Sequence, residues 1–339
     1  MLSFVRRSSI AILFLGVASA HGADDQRLCN DRSVFDESRI SACDRAISSS
    51  KFAGASLEEL YRSRAVRFDR NGDAERAYMD YAELQRMGAQ DNAILYDFFL
   101  ASLKAGHVET AAQLADHIIA LDKNNSLAQL VGGVHSLKYE QYAVAQRYLS
   151  RSPQTPIADL TVALLFGWAT YGAGNVQIAV NGIDKLAGPE WFAIFKNFHT
   201  GMLLELAGME RAAGDRLERA YRRDDTAVRV TDEYARWLSR NRDAFSASEV
   251  YMAFDRKIPR HQLIVLGMEE TRAGKKLPPL INSAQQGAAE ALYGIGGLLT
   301  HKGGPDLALI YLQLALYLNP DHSLALLSLV QPAWAWLLI

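Results

Sequence analysis

The sequence predicts an all-α fold, a right-handed superhelical solenoid of helix-turn-helix repeats, and three observations carry that prediction. Ala77, Ala111, Ala145, Ala179, Ala213 and Ala247 stand 34 residues apart in unbroken succession. Five positions before four of them a glycine keeps the same stride: Gly72, Gly106, Gly174 and Gly208. The same columns return near the C-terminus, with Gly296, Gly303, Ala308 and Ala315. A fixed period of this length is the signature of stacked helical hairpins, each burying its apolar face only against its neighbours.

Each column has a physical reason. With the first glycine at position 15, the units run 58–91, 92–125, 126–159, 160–193, 194–227 and 228–261. Position 15 is the turn between the paired helices, where a left-handed residue is needed, although Glu140 and Arg242 stand there in units three and six. Position 20 is always alanine, as expected where two helices cross too closely for more than a methyl group. Position 8 is the facing small site, with Ala65, Gly133, Gly167, Gly201 and Ala235. Phe99 breaks that rule, which predicts a looser second unit.

Segments outside these units follow by difference. Residues 1–20 read as a secretory signal, with Arg6 and Arg7, an apolar run from Ile10 to Val17, and Ala18-Ser19-Ala20 before the cut. An N-terminal cap over 21–57 contains Cys29 and Cys43, the two cysteines of the chain, and an exported protein with two cysteines is expected to pair them. Residues 262–288 are too few for a full hairpin and predict a short helix from about His261 to Arg272, a loop with Pro278 and Pro279, and a second short helix. A seventh unit occupies 289–322, and 323–339 is a truncated helix with an apolar tail ending in Trp334, Trp336 and three aliphatic residues.

These columns, with Pro320 at position 32 of the last unit, resemble the tetratricopeptide repeat over roughly 58–322. The resemblance implies a scaffold that binds a protein or peptide, with positions 2, 5, 9, 12 and 13 of each first helix facing a concave groove. In units two to five, fifteen of those twenty positions are apolar, among them Tyr96, Leu100, Leu130, Val134, Leu164, Trp168, Tyr171, Phe195, Phe198 and Met202. Units one and six are charged there, with Arg62, Arg70, Arg229, Arg236 and Arg240. Aromatic anchors with a charged rim suit a binding patch. Buried core and groove read alike in sequence, so the same pattern also fits residues that pack against one another.

Other functions find little support. The formal charge of −2, or −4 without Arg6 and Arg7, favours neither nucleic acid nor an anionic membrane surface. Asp69, Asn71 and Asp73 imitate the start of a calcium loop, but Ala74 occupies the required glycine position. The histidines lack metal-ligand spacing, Gly274-Lys275-Lys276 lacks the rest of a phosphate loop, and no nucleophile motif occurs. The expectation is therefore a non-enzymatic, cofactor-free scaffold with a protein or peptide partner, periplasmic or otherwise exported. Membrane association would come only through a partner or the apolar tail. Two alternatives stand beside it: a bridging component of an envelope assembly such as polysaccharide export or secretion, and a carbohydrate binder or cryptic enzyme stacking sugars on Trp168 and Tyr171.

Overall fold

The computed structural model describes residues 23–31, 33–89, 91–150, 155–301 and 304–330, and all regular structure among them is helical. The signal-peptide reading of 1–20 and the apolar tail over 331–339 lie outside the described residues. By contact the chain divides into two compact units, Met1–Leu114 and Ala115–Ile339. The division falls inside the second repeat, the one whose small site holds Phe99.

The first unit opens with α1 over 23–30 and α2 (Asp36–Ser48). The Cys29–Cys43 disulfide ties them together, and Ala42, Ala46 and Leu60 complete a small core around it. A cap with one neighbour buries little apolar surface, so a covalent tie supplies part of what packing does not. Then come α3 (Ala55–Arg70), α4 (Ala74–Arg86), α5 (Asn92–Lys104) and α6 (Val108–Leu121), which runs across the division. Phe68, Ala77, Tyr81, Leu84, Ile94 and Phe98 form the main core of this unit.

The second unit continues the hairpins: α7 (Ser126–Lys138) with α8 (Tyr142–Leu149), α9 (Pro156–Gly172) with α10 (Val176–Lys185), α11 (Phe192–Leu206) with α12 (Glu210–Arg223), and α13 (Val228–Asn241) with α14 (Ala244–Lys257). After them come α15 (Gln262–Arg272), α16 (Ala284–His301), α17 (Pro305–Leu318) and α18 (Ser323–Val330). Side chains ahead of several helices accept the free N–H groups of the first turn: Asp73 from Arg76, Asn125 from Ala128, Thr155 from Ala158, Asp243 from Ser246.

The six repeat alanines are at most 1% exposed. Opposite them, a Cβ added at Gly133, Gly167 or Gly201 would fall within 2.8 Å of Leu149, Ile183 or Leu217. Position 15 adopts a left-handed backbone at Gly72, Gly106, Gly174 and Gly208, and Glu140 takes it too, with φ 59°. In all five turns the next residue donates its N–H to the carbonyl five residues back, which closes the helix end. Arg242 departs from them, with φ −122°, and its turn carries only a helical bond to Leu238.

One expectation needs correction. No separate second helix forms within 262–288; the chain from Lys275 to Ser283 is irregular, and Ala284 already opens the long α16. Consecutive prolines remove two donors and exclude the helical region for the residue before each. Side chains of α13 take over the freed backbone: Leu277 N–H donates to Ser239 Oγ (2.9 Å) and Leu280 N–H to Glu233 Oε2 (2.8 Å), while Arg236 donates to the Pro278 carbonyl (3.1 Å). The segment delivers α16 onto the faces of the preceding first helices.

Candidate functional site

The expected trough of the second unit is filled by the chain itself. Helices α16 and α17 pack against the first helices α7, α9 and α11, whose exposed faces were to form the groove. Trp168 on α9 is 0% exposed, and its indole N–H donates to His199 Nδ1 at 3.3 Å. Its ring lies against Gly287 of α16, where a Cβ would stand 2.4 Å from the indole. Phe195 meets the same helix at Gly294, with a Cβ contact of 3.2 Å. Leu130, Val134, Leu164, Phe198 and Met202 are buried, and Tyr171, half-buried, sets its ring edge-on to Trp168 at 5.9 Å. On α17, the Tyr311 hydroxyl lies 3.2 Å from Thr161 Oγ1, and the Tyr317 ring stacks by His135 under the Lys138 ammonium.

These positions are core because a later hairpin of the same chain reaches back to them. Trp168 offers no face on which a sugar could stack. Burial pushes the His199 imidazole down to about 4, so the ring is neutral and its Nδ1 is free to accept from the indole.

The charged positions on α13 are likewise engaged. Arg229 grips Glu290 of α16 with both ends of its guanidinium, Nε to Oε2 at 3.0 Å, and His322 Nε2 lies 3.1 Å from the same carboxylate. Burial would raise the Glu290 carboxyl, but the charge of Arg229 and the contact with His322 overcome it and hold the group well below the ordinary carboxylate range. Arg236 pairs with Asp232 at 2.9 Å. Arg240 pairs with Glu205 and donates to the Leu277 carbonyl at 2.5 Å. Burial, and then the neighbouring Glu205 carboxylate, pushes the Glu233 carboxyl well up. Arg229, Arg236 and Arg240 thus hold the C-terminal elements in place.

In the first unit the corresponding side chains are more exposed among the described residues. Tyr96 on α5 is 37% exposed, Leu100 is half-buried, the Arg62 side chain is 43% exposed, and Arg70 is exposed. Arg62 and Arg70 line a polar cavity of about 570 Å³ between α2, α3 and α5. Sequence reasoning missed two further arginines there, Arg39 and Arg67; a guanidinium in the buried register of each helix was the available signal. It also missed Gly287, Glu290 and His322. The calcium-like residues form the α3–α4 turn, where Asp69 pairs with Lys104 and Asp73 caps α4. Among the described residues no group of three or more His, Cys, Asp or Glu side chains is placed to hold a metal ion. No helix among them is long and apolar enough to cross a membrane.

The described residues form an all-α array of helical hairpins, the fold class that the 34-residue columns predict. No protein-family model and no curated protein matches it. Among solved structures it is similar to the C-terminal part of a TPR repeat-containing protein from Cytophaga hutchinsonii, at 13% identity and TM-score 0.44, over 75% of this chain and 98% of that one. It is similar to Naa15/Naa10 bound to HypK-THB at 12% identity and TM-score 0.44, over 93% of this chain but 46% of that one. Cut9–Hcn1, an APC/C hetero-tetramer, is similar at 13% identity and TM-score 0.35, over 92% of this chain and 63% of that one.

Proposed function

We propose that this protein is an exported, non-enzymatic scaffold that binds a protein or peptide segment on the first-helix face of its N-terminal unit, formed by α3 and α5. The observation that carries the reading is the contrast between two sets of first helices. Those of the second unit are covered by α16 and α17, whereas Arg62, Arg70, Tyr96 and Leu100 of the first remain accessible. A mixed aromatic, aliphatic and guanidinium surface is the composition from which binding hot spots are drawn. Export is supported by the signal-like order of residues 1–20 and by the Cys29–Cys43 bond, since disulfides persist in oxidising compartments.

The test places a photo-crosslinking amino acid at position 96 in one strain and at position 195 in another, in the native host. The proposal expects a partner adduct from position 96 and none from position 195. Adducts from 195 alone would transfer the site to the second unit and refute the assignment. An alkaline phosphatase fusion checks export separately, since an inactive fusion contradicts it.

A further inference from the structure

We propose that the cavity between α2, α3 and α5 is an oxoanion site that takes a carboxylate or phosphate group on its arginines. Four guanidinium groups line it, those of Arg39, Arg62, Arg67 and Arg70, against two carboxylates, Glu59 and Asp97. Asp36 and Asp91 approach from outside the cavity, yet neither closes a hydrogen bond to it. Asp36 stands 3.6 Å from Arg39 and 3.9 Å from Arg67, and Asp91 stands 3.8 Å from Arg62. Two of the arginines are unusual. The Arg39 side chain is 3% exposed and that of Arg67 8%, and each keeps a buried nitrogen without a hydrogen-bond partner, Nη2 in Arg39 and Nε in Arg67.

A buried cation whose donors are left unmet is destabilising. The fold nonetheless fixes both groups firmly: Arg39 Nε donates to the Cys29 carbonyl (3.3 Å) and Arg67 Nη1 to the Ser63 carbonyl (2.7 Å). Guanidinium groups anchored in this way and brought to one cavity are organised for a forked acceptor such as a carboxylate or a phosphate. Asn30 closes one side by donating to Glu59 (3.1 Å) and accepting from Ser63 (2.6 Å), which keeps Glu59 engaged with a neutral partner. The Cys29 carbonyl belongs to a disulfide residue, so the bond to Cys43 also holds the Arg39 anchor.

The experiment is isothermal titration of the full, oxidised chain at low salt with two probes, inorganic phosphate and a hexaglutamate peptide. A polyserine peptide serves as control. Saturable binding of either charged probe is expected, and the probe that binds identifies the source of the oxoanion. Arg67→Gln should weaken it about tenfold or more, the usual loss for a charge-assisted hydrogen bond. Should that variant fail to fold, Arg62→Gln on the rim carries the test, with an expected loss of about threefold. Reducing the disulfide should weaken binding as well. Absence of binding by both probes, or binding that the arginine substitutions leave unchanged, overturns the proposal. Neither result depends on a protein partner being found, so the outcome is separable from the scaffold reading.

Discussion

Substituting two glycines of one helix should move stability in opposite directions. A Cβ at Gly287 would lie 2.4 Å from the Trp168 indole, about 1 Å inside ordinary contact at 3.4 Å. The indole cannot give way cheaply, because it is fully buried and hydrogen-bonded to His199. Overpacking of this kind costs about 1–3 kcal/mol, and the gain in helix propensity from glycine to alanine returns about 1 kcal/mol. Gly287→Ala should therefore destabilise the protein by about 1 kcal/mol on balance. Gly297, in the same helix, has nothing within 4 Å of its added Cβ. Gly297→Ala should keep the whole propensity gain and stabilise by about 1 kcal/mol. Urea unfolding followed by far-ultraviolet circular dichroism measures both against the parent. Equal stabilisation by the two substitutions would mean that α16 is not seated on Trp168.

Further predictions concern other supports of the same arrangement. Glu290→Gln leaves the buried Arg229 with only the more distant Asp232, 3.9 Å away, as counter-charge and should destabilise by about 3 kcal/mol; an unchanged urea midpoint would show that the pair holds nothing together. His199 supplies a pH dependence: its folded value of about 4 lies below the ordinary value of 6.5, so between them the unfolded chain binds the extra proton. Its contribution is fully present above about pH 6.5 and falls away towards pH 4, by about 3 kcal/mol in total. Unfolding across that range should be flatter for His199→Gln than for the parent, and parallel profiles would refute it. Ala179→Leu, at a crossing where the alanine is 1% exposed, should cost about 1–3 kcal/mol by the same urea assay, and a neutral result would contradict the close approach. Reduction of Cys29–Cys43 should lower protection of 23–48 in hydrogen exchange by about 3 kcal/mol, the entropy of closing a loop of this size, while α11 and α12 keep theirs.

The hairpins were legible because their constraints are local and repeated. A methyl at position 20 recurs in every unit and a left-handed turn at position 15 in five of the six, so the chain states the same constraint again and again. Glu140 shows the limit of that reading, since it takes the left-handed backbone without being glycine, while Arg242 does not take it. The paired cysteines were equally open to inspection. The trough was not, because whether Trp168 and Phe198 face solvent depends on where a helix far later in the chain comes to lie. Gly287, Ala291 and Gly294 carried a faint signal, small residues at helical spacing suited to a close seat on aromatic rings. Glu290 between them was a second, an acid inside an otherwise apolar stretch that called for a cation elsewhere. The buried arginines of the first unit were marked only by a guanidinium standing in the buried register of its helix.

The most direct measurement of the central claim, that the C-terminal hairpin occupies the inner face of α7, α9 and α11, is acrylamide quenching of Trp168 in a full-length chain whose other tryptophans are phenylalanine. A ring sealed between His199 and Gly287 predicts blue-shifted emission and almost no quenching until the protein unfolds. Solvent-like emission with free quenching in the native state would contradict it, and would return these residues to an open groove.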